Sequence, residues 1–377
     1  MTVKAQRRLG ADELSELGKH QELIVHESDP ANAEPPLRLL GREFLTPYDL
    51  FYVRNHGTVP DVDAGELRLE VNGLVDSELV LSLQELRKRF SRRTVTSALH
   101  CAGNRRLELM AVREIPDEVP WREGVIGSAQ WTGVPLREVL EAAGLEAGAA
   151  HVAFSGLDEV EEDGESFAFG GSIPLAKALS DEVLLADEMN GAPLPLLHGF
   201  PLRVLVPGYI GARSVKWLKA IRVQREPSEN YFQRRSYRLF APDVNSSEVD
   251  SDRGLMLGEL SVNAVICRPG DGDSVAQGSV TVEGYAVAGG PRWVQRVDVS
   301  TDGGATWTDA QLLDPDESWA WRLWRTDLDL QPGEHEIIVR AVESSANVQP
   351  EQPAPLWNFK GYVNNAWHRV HVRAVDR

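Results

Sequence analysis

The change of texture at Ala241-Pro242 constrains the fold of this chain more than any other feature. Beyond it, Ser279-Val280-Thr281-Val282-Glu283-Gly284-Tyr285-Ala286-Val287 and Val294-Gln295-Arg296-Val297-Asp298-Val299-Ser300 alternate in strand fashion. That alternation puts the apolar side chains of a strand on one face, so each strand needs sheet partners and a second layer to cover it. Thr301-Asp302-Gly303-Gly304 supplies a hairpin turn, and Trp307, Trp319, Trp321 and Trp324 supply large core or interface side chains. Residues 242–377 are therefore expected to form an antiparallel β-sandwich.

From about Pro36 the pattern is mixed. Leu67-Arg68-Leu69-Glu70-Val71 alternates, Ser82-Leu83-Gln84-Glu85-Leu86 has the form of a capped helix start, and Pro135-Leu136-Arg137-Glu138-Val139-Leu140 opens a second helix that should stop near Gly144. This predicts an α+β domain over 36–241 with its chemistry on the connecting loops. Ahead of it, residues 1–35 space Leu, Glu and Lys as a short exposed helix or a disordered arm would. The pair Arg7-Arg8 is not followed by the apolar run of an export signal, and no later stretch reaches the ~18 to 20 apolar residues of a membrane span. The chain reads as cytoplasmic with no membrane partner. A formal net charge of −18 opposes nucleic acid and anionic lipid as partners, so an anionic ligand must be held by local cations. Only two cysteines, Cys101 and Cys267, are present, too few and too dissimilar in setting for a disulfide framework.

Cys101 stands in Leu99-His100-Cys101-Ala102-Gly103-Asn104-Arg105-Arg106. A thiol on a short glycine-containing segment, followed by two arginines, suits a soft-metal ligand beside an anion pocket. A lone cysteine is more often a small buried hydrophobe, so other segments must decide. Phe51-Tyr52-Val53-Arg54-Asn55-His56 can place a cation and donors at a strand end. His198-Gly199-Phe200-Pro201-Leu202-Arg203 with Gly211-Ala212-Arg213-Ser214-Val215-Lys216-Trp217 can grip phosphate, although neither a P-loop nor a dinucleotide fingerprint is present. Tyr237, in Asn230-Tyr231-Phe232-Gln233-Arg234-Arg235-Ser236-Tyr237, lies just before the expected boundary, where segments often roof clefts. Singly, each is also compatible with ordinary packing or surface charge.

Taken in order, these segments resemble the sulfite oxidase family of molybdenum enzymes from about Phe51 to the C-terminus. The resemblance is carried by FYVRNH, CAGNRR, SGLDE, FGGSIPL, EMNGAPLP, HGFPLRVLVPGYIGARSVKW, YFQRRSYRLF, VSTDGGATW, WAWRLW and NAWHRVHV. It implies a molybdopterin-binding catalytic domain over 36–241, an immunoglobulin-like dimerisation domain over 242–377, and a homodimer. It also implies molybdenum-dependent oxidation of sulfite to sulfate. Cys101 matches the metal ligand, the other ligands coming from the dithiolene of molybdopterin and oxo groups. Arg54, Arg106, Trp121 and Tyr237 match residues of the anion pocket, Trp121 across a one-residue insertion between Glu114 and Val119. Arg54, Asn55, His56, Asp158, His198, Arg203, Ser214 and Lys216 match positions that hold the pterin and its phosphate. No haem domain of the cytochrome b5 type is expected in this chain, so electrons would pass to a separate acceptor, a cytochrome c-type protein, another carrier or oxygen.

Two departures stand out. Asn358-Phe359-Lys360-Gly361 replaces the Asn-Leu-Arg-Gly that carries a third pocket arginine, and lysine keeps the charge without the planar fork. His100 stands where glutamine usually precedes the cysteine. Lys360 is nonetheless expected to join Arg54 and Arg106 on the anion. The alternatives within the fold are reduction of nitrate or of a sulfoxide. Outside it they are a cysteine hydrolase using Cys101 with His100 or His198, and a non-catalytic interaction protein.

Overall fold

The computed structural model describes residues 6–7, 9, 11–162, 164–245, 249–250, 253–313 and 315–376. The mixed pattern of the first part becomes two sheets. One runs in the order Glu165–Pro174, His151–Glu162, Ala220–Gln224, Leu69–Gly73, Leu79–Leu81, and only the Ala220–Gln224 pairing with Leu69–Gly73 is parallel. The other runs Ala192–Pro193, Leu184–Met189, Ile126–Pro135, Arg93–His100, with Arg203–Leu205 also paired to Leu184–Met189. Both expected helices form where their caps place them. Ser82 Oγ accepts from Glu85 N at 3.2 Å while Glu85 Oε2 accepts from Ser82 N at 2.8 Å, a reciprocal box that starts Leu83–Arg89. Leu136–Ala143 buries Leu136, Val139, Leu140 and Ala143 and stops at Gly144, whose φ of +71° favours glycine.

The described part of residues 1–35 is a correction. The short helix does form, at Ala11–Glu16, but the segment is no loose arm. Leu9, Leu14, Leu23, Ala31 and Ala33 are buried against Val53, Val59, Leu157 and Trp217, and Ile24–Ser28 pairs with Ala31–Glu34 as a hairpin. Five small apolar contacts spread over the segment make no readable period, yet each fills a gap in a neighbouring surface. Glu34, fully buried, accepts from Arg122 N and Gly124 N at 2.8 Å each and from His26 Nε2 at 2.7 Å.

The second part is a two-layer sandwich of a four-stranded sheet (Asn263–Arg268, Gly278–Val287, Arg322–Leu330, Gln311–Leu312) and a five-stranded sheet (Ser274–Ala276, His368–Val375, Gly333–Glu343, Val294–Ser300, Thr308–Asp309). Val282, Trp324 and Leu328 from one layer meet Val297, Val299, Ile337, Val339, Val370 and Val372 from the other, as the alternation requires. Gly303 and Gly304, at φ +73° and +91°, lie in the expected turn between Val294–Ser300 and Thr308–Asp309.

The two parts share a buried seam. Leu40, Ala98 and Ile126 pack with Val265, Cys267, Tyr285 and Trp321, and Ala98 N donates to Trp319 O at 2.9 Å. Cys267 is thus a core residue, and both cysteines are reduced. At one edge of the seam Glu108, Glu123 and His368 come together. Burial, reinforced by the Glu108 charge, pushes Glu123 up to about 7, while Arg105 works in the opposite direction. A carboxyl raised in the folded state stabilises the fold below its unfolded pKa and loses that contribution as pH rises through the folded one. Glu123→Gln should therefore melt higher than wild type above pH 7 and converge with it below about pH 5, within the window set by burial. A difference in melting temperature that does not change with pH would contradict this account.

Candidate active site

Cys101 immediately follows the strand Arg93–His100, so the sheet aims it at the loops of the opposite sheet. Its amide donates to Val125 O at 3.0 Å, and Gly103 N reaches its Sγ at 3.4 Å. Gly103 permits this turn: a Cβ there would meet Arg106 Nη2 at 2.9 Å and Trp121 Cδ1 at 3.0 Å. Burial raises the thiol pKa, opposed first by Arg54, then by the Gly103 amide and Arg106.

Cys101 lines a cavity between the loops of the first part. The same cavity gathers Arg54, Asn55, His56, Asp158, His198, Arg203, Ser214, Lys216 and Tyr237, residues the sequence distributes over nearly two hundred positions. Lys216 is the hub: its Nζ donates to Arg54 O and Leu197 O at 3.1 Å each and to Asn55 Oδ1. Arg203 donates to His198 O and Ser214 O at 2.9 Å each, and Ser214 Oγ accepts from Val206 N at 3.0 Å. Asn55 is held from the N-terminal hairpin, its Nδ2 on Ala31 O at 3.0 Å and its amide on Asn32 Oδ1 at 2.9 Å.

The electrostatics of this cavity call for an anion. Arg203 is buried and Arg54 and Lys216 are half-buried, and none makes an ion pair among the described residues. Burial lowers Arg203 to about 10 and depresses Lys216, which Asp158 partly offsets. Among the described residues Asp158 is the only carboxylate in the lining and its Oδ1 has no partner; burial raises its pKa and Lys216 opposes that rise. Buried charges and polar atoms left in this state are costly unless a ligand satisfies them. A ligand that is anionic at one end and carries N–H donors at another fits both the cations and Asp158. Among the described residues, Cys101 belongs to no group of three ligating side chains, so a metal at its sulfur must bring its remaining ligands with it. The donor set thus fits a metal carried by an anionic organic cofactor.

Tyr237 ends a π-type turn, Phe232–Ser236, with its amide on Phe232 O at 2.8 Å. Its hydroxyl lies 2.8 Å from His56 Nε2 and its ring stacks on Tyr362 at 5.2 Å. Burial pushes Tyr237 well above 10 and His56 well below 6.5, so the pair is neutral and shares one proton.

Arg106, Trp121 and Lys360 do not line the cavity. Arg106 donates to Val119 O at 2.9 Å and Lys360 O at 3.0 Å, and pairs with Glu118 at 3.1 Å. Lys360 Nζ sits on the other oxygen of Glu118, at 2.9 Å. Trp121 is fully buried, edge-on to His26 at 4.9 Å. Sequence reasoning did not single out Glu118, which draws two expected anion-binding cations together, nor Tyr362; neither sits in a motif whose spacing signals a partner. Arg105 turns away altogether, into the second domain, and His100 Nε2 is taken by Asn104 Nδ2 at 3.0 Å. No Cys101–histidine hydrogen bond occurs among the described residues, which removes the geometric basis for a cysteine hydrolase.

The chain is similar to known proteins over almost its whole length. Residues 56–232 match the family model described as oxidoreductase molybdopterin binding domain, and residues 255–375 that described as Mo-co oxidoreductase dimerisation domain. The mitochondrial sulfite oxidase of Rattus norvegicus is 46% identical over 368 residues, which cover 95% of this chain and 66% of that protein, so the chain spans just under two thirds of its length. The sulfite oxidase of Arabidopsis thaliana is 40% identical over 376 residues, 94% of this chain and 95% of that one. The crystal structure of the sulfane dehydrogenase SoxCD from Paracoccus pantotrophus superposes with a TM-score of 0.80 at 25% identity, covering 100% of this chain and 95% of that chain. With a thiol, unpaired cations and an orphan carboxylate converging in one cavity, and with relatives of this identity over almost its whole length, the chain belongs to the sulfite oxidase family of molybdopterin oxidoreductases.

Proposed function

We propose that this chain is a molybdenum-dependent oxidoreductase that oxidises sulfite to sulfate and passes the electrons to a separate acceptor. The observation that carries the reading is the convergence of Cys101, the unpaired cations and Asp158 in one cavity. Cys101 would be the protein's ligand to molybdenum. Asn55, His56, Asp158, His198, Arg203, Ser214 and Lys216 would hold the pterin and its phosphate. When bound, the molybdenum centre supplies the oxygen transfer and takes up two electrons.

The chain's own part is binding and electrostatics. Arg54 brings an unpaired charge to the cavity beside Cys101, where low dielectric strengthens its hold on an oxyanion. Arg106 stands behind it, its charge shared with Glu118. The Tyr237 hydroxyl, held by its hydrogen bond to His56 Nε2, orients substrate as a neutral hydrogen-bonding group. Trp121 backs the loop that carries Gly103 and helps exclude water.

Lys360 contributes less than a free third cation would, because Glu118 neutralises it. A half-exposed pair of this kind carries roughly 0 to 1 kcal/mol. Lys360→Ala should therefore change KM for sulfite by less than about threefold and leave kcat unaltered. A tenfold rise in KM would show instead that the lysine leaves Glu118 to hold the anion.

We assign 36–241 to the catalytic domain and 242–377 to an immunoglobulin-like domain that pairs two copies, working in the cytoplasm. The family match of residues 255–375 supports the pairing. No described helix is long and apolar enough to cross a membrane. The decisive experiment measures molybdenum and pterin per chain, sulfite-dependent dye reduction, and mass by light scattering. One molybdenum per chain with sulfite turnover in a dimer is the expected result. Purified protein devoid of molybdenum, or turnover of nitrate or a sulfoxide in place of sulfite, would reject the assignment of activity, and a monomer at micromolar concentration would reject the dimer.

A further inference from the structure

Lys19 lies outside the residues matched by the catalytic-domain family model, yet it ends inside the wall of the cofactor cavity. The local sequence explains how. Leu14 anchors the helix Ala11–Glu16 in the cluster that contains Leu197 and Trp217, and the chain then turns at Gly18 with φ +80°. Lys19 N closes the turn on Leu14 O at 3.0 Å and its side chain runs inward, leaving the residue 4% exposed. There Nζ meets three groups: Tyr48 O at 2.5 Å, Phe51 O at 2.8 Å and His198 Nε2 at 2.8 Å.

An ammonium has three donors and no acceptor, and two of these three partners are carbonyls that can only accept. The third N–H then points at His198 Nε2, which must be the bare nitrogen. The proton of the neutral ring lies on Nδ1, an atom with no partner among the described residues in a ring that lines the cavity. Edge contacts of that ring with Phe51 at 5.2 Å and Tyr48 at 5.4 Å limit its rotation. We propose that Lys19 is a positioning residue of the cofactor site: by donating to His198 Nε2 it holds the ring as the Nδ1–H tautomer, so that His198 meets the cofactor as a hydrogen-bond donor to an acceptor oxygen. The inference rests on the molybdopterin reading above. It ties the N-terminal segment to cofactor retention, since that segment supplies the side chain that fixes the ring. The amine form, with His198 donating from Nε2, is the arrangement the proposal excludes; burial favours that form and the anionic cofactor opposes it.

The test is long-range proton–nitrogen spectroscopy of the purified full-length protein labelled with 15N-histidine, the His198 ring being identified by its loss in His198→Gln. Wild type should show a bare Nε2 and a protonated Nδ1. Lys19→Met should lose that fixed tautomer and retain several-fold less pterin after gel filtration, a signature that mere loosening of the helix, as in Leu14→Ala with Lys19 intact, does not produce in the tautomer. If Lys19→Met does not fold, the wild-type spectrum decides alone. A protonated Nε2 in cofactor-loaded wild type overturns the proposal, as does a Lys19→Met protein with unchanged tautomer and pterin content. Wild type without any pterin overturns the reading on which it rests.

Discussion

Cys101→Ser is expected to fold, to keep its pterin and to lose nearly all turnover. Serine differs by one atom, and the main-chain hydrogen bond from residue 101 to Val125 O is independent of the side chain. The hydroxyl can still accept from Gly103 N, the one hydrogen bond to Sγ among the described residues. Stability should thus stay within about 1 kcal/mol of wild type. The chemistry should not survive, because a hydroxyl is a hard, weakly acidic ligand where a polarisable thiolate is required. No second thiol can replace it, since Cys267 is sealed in the seam between the two parts. We expect kcat to fall by about 1,000-fold or more, equivalent to roughly 4 kcal/mol of activation free energy. Thermal melting, pterin fluorescence and sulfite-dependent dye reduction on the same sample separate these effects. Turnover close to wild type would end the assignment of Cys101 as metal ligand.

Arg105→Met should produce the largest loss of stability without touching the cavity. Arg105 is 0% exposed, sits at φ +64° and begins the helix Arg106–Val112. Its guanidinium is bidentate to Glu108 at 2.7 Å and reaches across the seam to Asn263 Oδ1 and Ala366 O at 2.8 Å each. Asn364 returns the contact, donating to Arg105 O at 3.0 Å and Glu108 Oε2 at 3.1 Å. Methionine retains the apolar stem but takes the guanidinium from Glu108, which among the described residues keeps only the Asn364 amide beside Glu123, and removes the donor to Asn263 Oδ1. Removing one partner from such a buried network costs about 3 to 5 kcal/mol. Chemical denaturation should show that loss, with KM for sulfite nearly unchanged in the protein that remains folded. A loss below about 1 kcal/mol would mean that water replaces the guanidinium and that the seam is wetter than its burial indicates.

The legible parts of this protein were those governed by near neighbours. The Ser82–Glu85 box, the Gly144 stop and the strand Val294–Ser300 each depend on residues within a few positions, and each forms, although a bulge between Val294 and Arg296 breaks the alternation of the strand. The residues of the candidate site were named from their motifs, and the structure gathers Arg54, Asn55, His56, Cys101, Asp158, His198, Arg203, Ser214, Lys216 and Tyr237 around one cavity. The N-terminal segment was not legible, because its few buried side chains gain their partners from Val53, Leu157, Leu197 and Trp217 rather than from one another.

By itself, then, the sequence determined the two-part α+β and β architecture and the residue types at the site, since periodicity, caps and motif order are written along the chain. Only the tertiary structure decided which cations face the cavity. Arg106 and Lys360 look like anion ligands in sequence, but Glu118 claims both, and the Lys360 contact spans 242 residues. Lys19, unremarked in sequence, reaches His198 across 179. The reason is physical: a buried charge settles on the partner that best offsets its desolvation, and that partner is set by which strands and loops become neighbours.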